Sequence, residues 1–171
     1  VIAVFFALAG HAMAQGYPNR PVTLLYSYAP GSGVDLTWRA LAAAAYKELG
    51  QNVQVENRPG AAGNLAAEGA ARAVPDGHSL LLATSSTNAA AVHLYHRLGF
   101  DPLKDFTPVS TLCEIPNVMV VPTKSPWNSL KDLIDACRKD PGKYTYGSAG
   151  IGGSQHLAGA QFKTATGLDI R

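Results

Sequence analysis

The sequence predicts an α/β protein built on a parallel sheet, and two observations carry that expectation. The first is the alternation of strand-like and helix-like segments over residues 22–84. Strand, helix, strand, helix, strand requires crossover connections, which are right-handed and lay the strands parallel. The second is a strand–glycine loop–helix unit that occurs over residues 22–49 and again over 144–166. A helix that starts straight after a glycine loop exposes unpaired backbone N–H groups and the positive end of its dipole. Each unit is therefore a candidate anion site.

Residues 22–28, VTLLYSY, are apolar, β-branched and aromatic, as a buried strand would be. Pro30, Gly31, Ser32 and Gly33 break the chain. Val34, Trp38, Leu41, Ala45 and Leu49 then recur at helical spacing on one face, and Gly50 stands where a C′ glycine ends a helix. Residues 52–56, NVQVE, alternate as a second strand. After the turn Asn57-Arg58-Pro59-Gly60, residues 61–74 are alanine-rich and helical, with Asn64 a candidate N-cap. Residues 79–84, SLLLAT, read as a third strand, apolar on both faces.

Thr84, Ser85, Ser86, Thr87 and Asn88 follow at the carboxyl end of that strand, where open α/β sheets bind their ligands. The same hydroxyls would equally cap a short helix through Ala91 and Leu94. Residues 106–113 and 117–121 read as two strands, interrupted by Pro116 and Pro122, in a passage toward a second lobe. Residues 129–139 form a helix capped by Asn128 or Ser129, and Pro141-Gly142 ends it. A short strand at 144–147 leads into Gly147, Ser148, Ala149, Gly150, Ile151, Gly152 and Gly153. A helix over 154–166 follows, with Ser154 and His156 in its first turn. Residues 168–171 begin another strand.

Composition narrows the function. The chain has 171 residues, 47% apolar and 15% charged, which suits a packed globular protein. A net charge of +2 without a Lys/Arg cluster argues against a nucleic-acid partner. Residues 1–10 are apolar and precede Ala12-Met13-Ala14, an h-region and an A-x-A signal. This predicts a signal peptide cleaved after Ala14 and export. The run is too short to span a bilayer; a buried N-terminal helix is the alternative. No initiator Met or basic n-region precedes it, so the true start is expected upstream. In an exported chain Cys113 and Cys137 could pair. Cys137 also shares a helical face with Leu130, Leu133 and Ile134, as a small core residue would. No metal-ligand spacing occurs, so no metal and no cofactor are expected.

The loops themselves exclude some chemistry. The first lacks the lysine of a Walker loop, and Leu36 stands where a dinucleotide fingerprint needs its third glycine. Without a ligand it would be a tight βα turn, and the second would be a flexible surface loop. Ser148 follows Gly147 directly, so the nucleophile elbow G-x-S-x-G is absent. A hydrolase using Ser148 or Ser154 with His156 thus lacks support, and no catalytic residue is assigned.

Four stretches together resemble one family: YPNRPVTLLYSYAPGSGVD, VENRPGAAGNLAAEGAARAVPDGHSLLLATSSTNA, DFTPVSTLCEIPNVMVV and YTYGSAGIGGSQHLAGAQFK. Over residues 17–171 the chain resembles the tripartite tricarboxylate receptors, also called Bordetella uptake gene (Bug) proteins. The resemblance implies a periplasmic solute-binding protein of the type II periplasmic-binding-protein fold, two α/β lobes hinged around a ligand cleft. After the signal remnant at 1–14 it implies a first lobe at 15–121 and the start of a second lobe at 122–171, with the rest of that lobe beyond these residues. The implied ligand is a small carboxylate: a di- or tricarboxylate, an amino acid, nicotinate or an aromatic acid. Implied partners are membrane permease subunits, with a sensing role lacking a dedicated permease as a variant.

The resemblance maps carboxylate-binding loops onto Ala29, Pro30, Gly31, Ser32, Gly33 and Asp35, and onto Gly147, Ser148, Ala149, Gly150, Gly152 and Ser154, with His156 just beyond. Thr84, Ser85, Ser86 and Asn88 would border the cleft, and ordered waters would bridge one ligand carboxylate to the first lobe. Neither loop carries Lys or Arg, so recognition is expected through neutral donors. One departure stands out: the family usually has Pro-Gly-Gly where this chain has Pro30-Gly31-Ser32. A Cβ at Ser32 would restrict a positive φ and add a hydroxyl.

Overall fold

The computed structural model describes residues 16–171, so the signal segment 1–14 and the cleavage point after Ala14 lie outside the described residues. Its elements are β1 (Val22–Tyr26), α1 (Gly33–Leu49), β2 (Val53–Asn57), α2 (Asn64–Ala71), β3 (Ser79–Leu81), α3 (Ala91–Leu94), α4 (Leu130–Lys139) and α5 (Ser154–Thr166). The strands form one parallel sheet in the order β2-β1-β3. Val22 lies opposite Val53, and Leu24 opposite both Val55 and Leu80. As the central strand, β1 buries Val22, Leu24, Leu25 and Tyr26, which is why its sequence is apolar on both faces.

The crossover helices cover the sheet. α1 lies on β2 and buries Trp38 and Ala42; α2 lies against β1 and β3 and buries Ala66 and Ala67. Gly50 adopts φ 64 and donates its N–H to the Tyr46 carbonyl at 2.9 Å, ending α1 as the sequence predicts. The α2 cap differs from expectation. Asn64 is the first helical residue, and Gly63, in the left-handed region at φ 100, precedes it. β3 is also shorter than predicted and only half-buried; among the described residues it pairs with β1 alone.

A second cluster forms further along. Ser129 caps α4 in a reciprocal capping box with Asp132. Cys137, Leu168 and Ile170 are buried together, flanked by Leu133, Ile134, Tyr144 and Phe162. The Arg171 N–H donates to the Tyr144 carbonyl at 3.0 Å, and the Tyr146 N–H donates to the Arg171 carbonyl at 2.8 Å. That is the bond pattern of a parallel strand pair, in its shortest form. Cys137 is a core residue and Cys113 is exposed; both are free thiols, so the two do not pair.

The strands expected at 106–113 and 117–121 do not form. Those residues are irregular and, apart from half-buried Phe106, exposed, with Val109, Val118 and Val120 each more than three-quarters exposed. A strand needs neighbours for its N–H and C=O groups, and among the described residues none pairs with them.

Candidate functional site

All three strands end at one cleft of about 80 Å³. Ser27 and Tyr28 line it just past β1, Gly60 and Ala62 between β2 and α2, and Thr84 and Ser86 past β3. This is the position at which open parallel sheets present ligands. Ala149, Gly153, Ser154 and Gln155 complete the wall from the second glycine loop and the start of α5. The lining carries hydroxyls, amides and backbone, and no charged side chain.

The β2–α2 wall is strained. Gly60, Ala61, Ala62 and Gly63 all have positive φ, at 125, 47, 53 and 100. Left-handed backbone costs an alanine roughly 1–2 kcal/mol, and such strain persists where surrounding structure over-determines it, often at binding sites. The Gly63 N–H closes the turn on the Gly60 carbonyl at 2.9 Å. A Cβ on Gly63 would lie 2.8 Å from Thr87 Cγ2 and 3.2 Å from Ser27 Oγ, so the loop presses against both neighbouring strand ends.

Past β3, buried Thr87 holds the turn: its Oγ1 accepts from the Thr84 N–H at 3.1 Å and donates to Asn88 Oδ1 at 2.7 Å. Asn88 thus braces Thr87. Thr84 and Ser86 are left on the cleft wall, and Ser85 is exposed.

The first glycine loop is built for itself. Asp35 is buried and accepts from the Gly31 N–H at 2.8 Å, Asn57 Nδ2 at 2.8 Å and Arg39 Nε at 3.0 Å. The Arg39 bond above all, then Asn57 and Gly31, pulls its carboxyl down to about 2. Ser32 caps α1 by accepting the Asp35 N–H at 3.2 Å. Ser32 has φ −67, so its Cβ meets no restriction; the positive φ falls on Gly31, at 78. Within this loop the Gly31 N–H thus serves an internal carboxylate, and Ala29, Pro30, Gly31, Ser32, Gly33 and Asp35 do not line this cleft. They reach it indirectly, because Asn57 Nδ2 also donates to the carbonyl of Tyr28 at 3.0 Å.

In the second loop, Ala149 and Ser154 line the cleft, whereas Gly147 has open space around it. Gly150 and Gly152 supply positive φ, at 123 and 84. The Gly150 N–H donates to Ser148 Oγ at 3.4 Å, and the Gly152 N–H to His156 Nδ1 at 3.3 Å. Ser154 Oγ donates to Asn117 Oδ1 at 3.2 Å. His156 thus braces its own loop, and neither Ser148 nor Ser154 is paired with it as a nucleophile would be. Gly153 is the N-cap of α5 and makes no side-chain cap bond, so no capping side chain stands between the first turn and an anion. Sequence reasoning missed Ser27, Tyr28, Gly60, Ala62 and Gln155 as wall residues. The available signal was Gly60 and Gly63 bracketing two alanines directly after a strand.

A parallel sheet whose strand ends converge on an uncharged, donor-rich cleft has the geometry of a small-solute binding site. Residues 37–171 match the family described as "Tripartite tricarboxylate transporter family receptor". The chain is 37% identical over 171 residues to a UPF0065 protein of Bordetella pertussis, covering 99% of this chain and 52% of that protein. It is 35% identical over 174 residues to BugT of the same organism, covering 99% and 53%. Among solved structures, a periplasmic transporter aligns with TM-score 0.85 at 42% identity, over 91% of this chain and 52% of the other. An R. palustris protein with adipate aligns with TM-score 0.85 at 35% identity, over 91% and 52%. MatC from Rhodopseudomonas palustris with bound malate aligns with TM-score 0.81 at 32% identity, over 90% and 52%. The chain belongs to the tripartite tricarboxylate transporter receptor family and has its α/β periplasmic-binding-protein fold. This is a family of transport receptors. The chain spans about half the length of the curated relatives it matches.

Proposed function

We propose that the protein captures a small dicarboxylate in the cleft between the three strand ends and the α5 N-terminus, and hands it to a membrane permease of the tripartite type. The observation that carries this reading is the lining: Ser27, Thr84, Ser86 and Ser154, uncapped α5, and no acidic side chain to repel an anion. A carboxylate stripped of water needs donors aimed at it, and neutral hydroxyls and amides supply them without burying a cation. Relatives of this fold solved with adipate and with malate support the same ligand class. The reading includes export after cleavage at Ala14, a first lobe over 15–121 and the start of a second over 122–171. Titration calorimetry of the purified protein with malate and adipate, against a diamine of equal length, tests it. Saturable binding of a diacid and none of the diamine is expected; no diacid binding overturns the reading.

A further inference from the structure

The second glycine loop is tied to the first sheet unit by a side chain that no motif announced. Tyr95, directly after α3, donates its hydroxyl to the Ile151 carbonyl at 2.7 Å. Its ring and the Leu94 side chain lie against Gly152, where a Cβ would be 3.5 Å from the Tyr95 ring and 3.1 Å from Leu94 Cδ1. Gly152 is buried at φ 84, and the Gly153 N–H closes the same turn on the Gly150 carbonyl at 3.1 Å. The turn delivers Gly153, Ser154 and Gln155 to the cleft wall. The helical stretch that Tyr95 follows starts at Ser86, itself a wall residue of the opposite side. One short element thus contributes to the cleft at its beginning and clasps the facing loop at its end.

On the carboxylate reading given above, we propose that Tyr95 is a positioning residue for ligand retention. Its bond to Ile151 holds the α5 N-terminal turn opposite Ser86, so that a bound carboxylate meets both walls at once. Asn117 ties the same turn a second time, donating Nδ2 to the Ser154 carbonyl at 3.4 Å while its Oδ1 accepts from Ser154 Oγ. The Tyr95 bond lies at the surface, where a single neutral hydrogen bond adds little to global stability. What it restricts is the loop's freedom to swing off the ligand, which is paid out in dissociation rate more than in association rate.

Tyr95→Phe keeps the ring on Gly152 and removes only the hydroxyl. Stopped-flow kinetics with malate or adipate, melting curves and hydrogen exchange over residues 147–156 read the outcome. Expected are dissociation roughly three- to tenfold faster, little change in association rate or melting temperature, and faster exchange in the loop. A wild-type protein that binds diacid while Tyr95→Phe releases it at the wild-type rate overturns the role of Tyr95 alone. If the wild-type protein binds neither diacid, the carboxylate reading falls, and exchange decides the clasp: faster loop exchange in Tyr95→Phe at unchanged melting temperature supports it, and unchanged exchange overturns it.

Discussion

Asn57 Nδ2 sits 2.8 Å from Asp35 Oδ1 and also donates to the Tyr28 carbonyl, linking the end of β2 to the start of α1 and to the cleft wall. Arg39 completes the group, bonding Asp35 through Nε and Asn57 Oδ1 through Nη2 at 2.6 Å. A buried carboxylate with three donors is stable only while it is charged.

That gives a pH signature. The Asp35 carboxyl is lowered from 3.8 to about 2, with the Arg39 hydrogen bond the largest cause. A depressed carboxyl adds stability that is fully present above its unfolded pKa and fades as pH falls toward the folded one. Asp35→Asn should therefore melt several degrees below wild type at about pH 5, and the gap should close as the pH approaches about 2. Thermal melts across that range check it; a gap independent of pH would show that the charge is not what Asp35 contributes.

The thiols should separate cleanly. Cys113 is exposed, whereas Cys137 is buried between α4 and the 168–170 segment, and that burial pushes its thiol pKa up. A thiol-specific reagent should label Cys113 quickly and Cys137 only after denaturant is added. Cys137→Ser would place a hydroxyl in an apolar cluster and should cost about 1–3 kcal/mol by urea denaturation. Rapid labelling of both thiols in the folded protein would contradict the packing of this second core.

The sequence disclosed the elements whose local and tertiary preferences agree. The α1 span, the Gly50 stop and the α5 span are visible because glycines bound them on both sides, but the expected α1 face is only partly the buried one: Trp38 is buried with Asp35 and Ala42, while Leu41 and Leu49 are exposed. Residues 106–121 misled because alternating apolar residues describe a strand only when a neighbour accepts it. The cleft was half legible: Thr84, Ser86, Ala149 and Ser154 follow strands as the topology demands. Ala61 and Ala62 were read as helix since alanine favours one, yet tertiary packing forces both left-handed. Asp35 looked like part of an anion site, and no spacing rule reveals that its own carboxylate already occupies the donors around it.

Gly63 should be the least replaceable residue of the β2–α2 wall. Alanine there meets φ 100 and a contact of 2.8 Å with Thr87 Cγ2, so Gly63→Ala should destabilise by about 2 kcal/mol or more. Gly33→Ala is the matched control, since its Cβ would enter open space at the start of α1; a change within about 0.5 kcal/mol is expected. Equal losses from the two substitutions in chemical denaturation would mean that the strained loop is not held by Thr87 and Ser27.

Gly150 tests the cleft itself. A Cβ there would point toward the Ala62 backbone nitrogen, 3.8 Å away, so a larger side chain would enter the space between the second loop and the β2–α2 wall. Gly150→Leu should therefore displace a bound diacid from donors on both sides. A hydrogen bond to a charged group contributes about 1.5–3 kcal/mol, so affinity should fall roughly ten- to hundredfold. Gly150 also holds φ 123, and leucine there strains the fold whether or not a ligand binds. Gly142→Ala separates the two effects: it too puts a Cβ at positive φ, but beside Asp169 and Arg171, neither of which lines the cleft. It should lower stability and leave affinity unchanged. Lys139→Glu, an exposed charge reversal in the last turn of α4, should also leave affinity unchanged while weakening the helix by about 0.3–1 kcal/mol. Calorimetric titration of the three variants decides the matter: if Gly150→Leu binds as tightly as wild type and Lys139→Glu does not, the ligand sits elsewhere.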